Sequence, residues 1–122
     1  MRSGLLYLML VMVFVLMVLV FFSTFPVRNE VVVIIPRAVS HMPYQSNYQP
    51  SWLKLVLGFN NTVRWVNLDD HMHTVTGYNN TFSSPELNLY DTYVYTFTKT
   101  GIYRYRCPPH PWMEGVITVV EE

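Results

Sequence analysis

Cysteine, alanine and charge are all scarce in this chain of 122 residues. One cysteine, Cys107, excludes an intrachain disulfide framework. In an exported domain it leaves a lone thiol as a reactive centre, a metal ligand or a link to another chain. The one alanine, Ala38, lies far from the N-terminus, and the first apolar run is followed by Ser23, Thr24, Phe25 and Pro26. Those flanks do not resemble the small-residue site at which a signal peptide is cut. Charged residues make up 13% of the chain, eight basic and eight acidic. Scattered singly, they form neither a nucleic-acid stripe nor a polybasic lipid patch. Beyond the first run no window keeps a helical period, and no repeat is visible.

What is present falls into unequal parts. Residues 5–22, "LLYLMLVMVFVLMVLVFF", contain no charge, glycine or proline. As a helix they reach roughly 27 Å, close to the hydrocarbon thickness of a bilayer. Length and flanks favour an uncleaved anchor over a signal h-region or a core helix. The expected organisation is an anchor over 1–25, a linker over 26–30 and one domain over 31–122. Arg2 on one side and Arg28 and Arg37 on the other nearly balance the positive-inside count. The short N-terminal tail favours a cytoplasmic N-terminus and a domain outside the cytoplasm. The sequons at Asn60 and Asn79 fit that location weakly.

The domain reads as short strands at 31–35, 52–57, 62–67, 73–78, 92–98, 102–107 and 115–120, rich in Val, Tyr, Thr, Phe and Ile. Turn residues separate them, and 36–51 is loop-like with Pro36, Pro43 and Pro50. The pattern predicts an all-β sandwich or small barrel after one transmembrane helix. Alternation along 102–107 puts Tyr103, Tyr105 and Cys107 on the inner face and Arg104 and Arg106 outside. Trp65, Tyr103 and Tyr105 are core candidates, and Trp112 is a candidate for either core or partner contact.

The chemistry concentrates in "YRYRCPPHPWMEGVITV". Cys107, His110 and Met113 place a thiolate, an imidazole and a thioether within seven residues. Proline in both gaps predicts a bent loop that cannot continue either strand's ladder. "NLDDHMHTVT" offers His71 or His73 as a second imidazole, whereas His41 lies in the Pro-rich loop with no motif around it. One thiolate, two imidazoles and an axial Met form a soft, low-charge set that suits an electron-transfer copper.

"VRWVNLDDHMHTVT" and "GIYRYRCPPHPWMEGVITV" together resemble the cupredoxins, the plastocyanin–amicyanin family of type 1 (blue) copper proteins. The resemblance covers 31–122 and is most specific at Val-x-Trp-x-Asn-x-Asp, His-Thr-Val and Tyr-x-Cys-x-Pro-His-Pro-x-Met-x-Gly. It implies a Greek-key β-sandwich holding one copper ion that cycles between Cu(I) and Cu(II). It also implies His73, Cys107, His110 and Met113 as ligands, with the Thr74 amide near the sulfur. His71-Met72 stands where relatives usually carry proline before the ligand histidine. Members shuttle single electrons between redox protein partners, here a respiratory-chain donor and acceptor, and turn over no small-molecule substrate. A copper-delivery or storage protein is the alternative. Four histidines are too few for a multicopper oxidase cluster, and one cysteine excludes a dinuclear copper site. A structural zinc site is disfavoured by the Met ligand.

Overall fold

The computed structural model describes residues 2–24 and 29–122. The expected linker and the end of the anchor fall largely on 25–28, outside the described residues. Helix α1, Arg2–Thr24, matches the apolar run. Its span Arg2–Ser23 has a mean hydropathy of 3.1 and none of it is buried within the protein, so its side chains lack a protein core to cover them.

The remainder is a two-sheet sandwich. Strands β1 (Glu30–Ile35), β3 (Thr62–Asn67) and β5 (Thr92–Thr96) make one sheet, in the order β1-β3-β5. Strands β2 (Trp52–Val56), β7 (His110–Val120), β6 (Gly101–Cys107) and β4 (Thr76–Gly77) make the other, in that order. β1 runs parallel to β3, and β2 runs parallel to β7; the other pairings are antiparallel. Period-two patterning drives the arrangement. Val33 and Ile35, Val63 and Trp65, and Ile117 and Val119 are inward residues of their strands and are buried. Trp65 sits at the centre, its ring 5.5 Å from Tyr105 edge to face and 5.9 Å from Phe82 in a stack. Such pairs add about 0.5–1.5 kcal/mol each beyond area burial. Tyr105 and Cys107 point inward and Arg104 and Arg106 outward, as the alternation predicts. The Tyr105 ring lies across Gly115, where an added Cβ would collide with it.

Two expectations about local structure are corrected. The segment 73–78 is not one strand: only Thr76 and Gly77 form β4, with isolated bridges at His73–Leu87 and Thr76–Ser83. Its backbone is claimed by an irregular neighbour, since Val75 N donates to Ser84 Oγ and Ser84 N donates to Val75 O. The ligand segment is likewise not a loop beyond both ladders. Cys107 pairs with His110, so Pro108 and Pro109 form only the turn, and β7 starts at His110. Pairing resumes at Arg106–Glu114, leaving 111–113 in a bulge. Pro111 is accommodated there because bulged residues need no ladder hydrogen bond. The same bulge turns Met113 fully into the core.

Candidate metal centre

Three segments converge at one end of the sandwich. β6 delivers Cys107, the first residue of β7 is His110, and the stretch following β3 delivers His73. Cys107 and His73 are fully buried, and His110 is partly exposed. Cys107 Sγ lies 3.8 Å from His73 Nδ1 and 3.5 Å from His110 Nδ1. The ligand atoms of all three lie within 4.8 Å of one another, and the imidazole centroids are 4.3 Å apart. Met113 is buried three residues beyond His110, on the inner face of β7. Of the sequence candidates, the structure therefore groups His73, Cys107 and His110. His71 instead projects outward and pairs with Asp70 and His41, both exposed.

The orientation of His73 has a physical cause that the sequence reading missed. Asp69 Oδ2 lies 2.8 Å from His73 Nε2, and Asp69 also accepts from the amides of Ala38 (2.8 Å) and Ser40 (3.2 Å). Burial opposes ionisation of Asp69, but the hydrogen bonds from His73, Ser40 and Ala38 outweigh it and hold the carboxyl far below the usual range. An ionised carboxylate can only accept, so the His73 proton sits on Nε2 and Nδ1 presents a bare lone pair toward the sulfur. Burial lowers the His73 pKa despite Asp69, and burial followed by the neighbouring His73 lowers that of His110. Both shifts favour the neutral imidazoles, the form that can donate a lone pair to a metal. The signal was present in the sequence: Asp69 stands four residues before His73, inside a stretch read as turn chemistry.

Further contacts fix the frame. Asn67, buried at the end of β3, donates from Nδ2 to the carbonyls of His71 and Leu87 (2.9 Å each) and accepts from Asp69 N. The ligand turn is thereby tied to a central strand. Thr74 N donates to Cys107 Sγ at 3.4 Å, as the resemblance implies, and Thr74 Oγ1 adds a long contact at 3.9 Å. Tyr48, from the Pro-rich stretch, donates its hydroxyl to Thr74 O at 2.8 Å. Asn47 acts as a substitute strand partner, donating to Glu114 O at 2.7 Å and accepting from Glu114 N at 2.9 Å. Pro109 and Pro111, the chain neighbours of His110, are exposed. Trp112 is half-buried, packs on the core and meets His110 edge to face at 5.3 Å.

One thiol, two neutral imidazoles and a buried thioether fit a single copper ion better than a hard cation. The carboxylate beside them is fully used as an acceptor and completes the outer hydrogen-bond shell of His73.

Comparisons with known proteins agree with this centre. No family model matches the chain. A segment of 63 residues is 35% identical to amicyanin of Paracoccus denitrificans, covering 48% of this chain and 48% of amicyanin, about half its length. The purple cupredoxin of Nitrosopumilus maritimus is 32% identical with a TM-score of 0.67, the match covering 73% of this chain and 98% of that one. A copper-containing nitrite reductase of Thermus scotoductus is 29% identical with a TM-score of 0.61, over 76% of this chain but 23% of the enzyme. The match to nearly the whole purple cupredoxin, together with the convergent His-Cys-His group, makes this chain a member of the cupredoxin family.

Proposed function

We propose that this chain is a membrane-anchored, mononuclear type 1 copper electron carrier. His73 Nδ1, Cys107 Sγ and His110 Nδ1 would be its strong ligands, and Met113 would be a weak one. The observation that carries the reading is the convergence of two Nδ1 atoms on one buried thiol at 3.8 and 3.5 Å. Bound there, copper supplies a one-electron Cu(I)/Cu(II) couple and deprotonates the thiol.

The chain's own residues supply rigidity and access. Asp69 and Asn67 hold His73 against reorientation, and the Thr74 amide stabilises negative charge on the sulfur. The paired strands β6 and β7 fix Cys107 and His110 across one register position. His110, partly exposed beside Pro109, Pro111 and Trp112, is the proposed electron exit, and that apolar rim receives redox protein partners. Four protein donors leave no open position for a substrate, which supports a carrier over an enzyme. They also support retention of copper over delivery or storage. The 1–25 segment anchors the chain in the membrane, a reading supported by the hydropathy of α1, and the 31–122 domain lies on the extracytoplasmic side.

The deciding experiment loads the full chain with copper and oxidises it. An intense visible thiolate-to-copper band and a reversible one-electron wave are expected, and Cys107→Ser should lose both. A colourless loaded protein ends the type 1 reading, while colour without a reversible wave favours delivery. Intact mass of the native protein checks the anchor: loss of the first two dozen residues would make it a free carrier.

A further inference from the structure

The turn that supplies His73 carries a second group of donors on its outer side. His41 ends a single turn of 3₁₀ helix, Val39–His41, while Asp70 and His71 follow β3. The ligand-capable atoms of these three residues lie within 4.8 Å of one another, and all three are exposed. The His41 and His71 rings meet edge to face at 4.6 Å, and Asp70 Oδ1 lies 2.7 Å from His71 Nδ1. The convergence is built into the fold. Asp69 accepts from the amides of Ala38 and Ser40 and so clamps the 3₁₀ turn against the 69–71 segment. Asn67 fixes the same segment through the His71 carbonyl. An open recess lined in part by Arg37, His41, Asp70 and Tyr90 borders the group.

We propose that His41, Asp70 and His71 form a second, surface site for a borderline divalent cation, Zn²⁺ or Cu²⁺, separate from the buried centre. Two imidazoles and one carboxylate match the donor preference of these ions, and solvent supplies the remaining positions. Mg²⁺ and Ca²⁺, which take oxygen donors, are excluded by the same set. Donors at ~2.0–2.1 Å from a tetrahedral ion stand roughly 3.3 Å apart. These exposed side chains reach that arrangement by small rotations, the ion replacing the proton between Asp70 and His71. Arg37 on the recess opposes a cation, so the imidazoles rather than net charge set the affinity.

The test uses the full chain with copper already in the buried centre, equilibrated with Zn²⁺ and analysed for bound metal. One zinc per chain is expected, with the visible band unchanged and the His41 and His71 ring protons shifted in NMR spectra. The double variant His41→Ala, His71→Ala should keep the band and bind zinc at least tenfold more weakly. The proposal is overturned if wild type retains no zinc, if the double variant retains as much, or if zinc uptake displaces the copper band. A chain that never develops the band, yet loses zinc on the double substitution, would refute the copper reading and support the surface site.

Discussion

Asp69→Asn is the substitution that separates the donor group from what aims it. The carboxylate receives donors at both oxygens: Ala38 N and Asp70 N at Oδ1, Ser40 N and His73 Nε2 at Oδ2. An amide of the same shape has one acceptor end, so its NH₂ must face donors whichever way it turns. Turned toward Ala38 and Asp70, it leaves two backbone N–H groups unpaired, at a cost of about 1–3 kcal/mol each, against one, that of Ser40, in the other orientation. Turned toward His73, it forces Nε2 to accept and moves the ring proton to Nδ1, the atom facing Cys107. That tautomer cannot bind a metal at Nδ1. Loss of an outer partner of a ligand histidine typically lowers metal affinity ~10–100-fold. Asp69→Asn is therefore expected to weaken copper binding by that factor, measured by chelator competition. The apoprotein should lose about 1–3 kcal/mol in urea unfolding. Removing a negative charge beside the centre also favours Cu(I), so the potential should rise. Unchanged affinity and an unchanged potential together would refute the claim that Asp69 sets the His73 tautomer.

Three other outcomes are expected. His73→Ala should abolish the coloured centre and His71→Ala should keep it, as visible spectra will show; the reverse result would move the ligand assignment by two residues. Met113→Leu should raise the potential and Met113→Gln lower it, each 59 mV in voltammetry corresponding to about 1.4 kcal/mol. Equal potentials in both variants and wild type would place Met113 away from the metal, and loss of copper from Met113→Leu would make it a primary ligand. Gly115→Ala should cost about 1–3 kcal/mol by overpacking against Tyr105, read from apoprotein denaturation. A neutral result would mean that the Tyr105 ring moves aside freely.

Strand placement was legible wherever alternation and β-branched residues coincide, as along β3, where Val63, Trp65 and Asn67 are the buried set. The Cys107 thiol and the His110 imidazole were legible from residue type and spacing, whereas the choice of His73 over His71 came from the resemblance. What stayed hidden was decided by partners distant in the chain. Val75 bonds to Ser84, so a strand-like sequence gives only a two-residue β4. Pro111 looks like a ladder breaker until pairing shows that a bulge absorbs it. Tyr48 and Asn47 sit in a stretch with no period, yet they support Thr74 and Glu114 across the fold. Composition carries no trace of such contacts, because each depends on a chain path set elsewhere.

The parallel pairing of β2 with β7 has a consequence for the order of assembly. All strands of the β1-β3-β5 sheet are present in the chain by Thr96, but β2 waits for a partner at 116–120. Pairings of such large sequence separation form slowly, on the ms–s scale in all-β domains. His73 can be positioned early by Asn67 and Leu87, whereas Cys107 is sheltered only once the last hairpin docks. The thiol of Cys107 is thus sheltered late, together with His110 and Met113, when the β6-β7 hairpin docks. Until then, the one thiol of the chain stays open to whatever oxidant surrounds it.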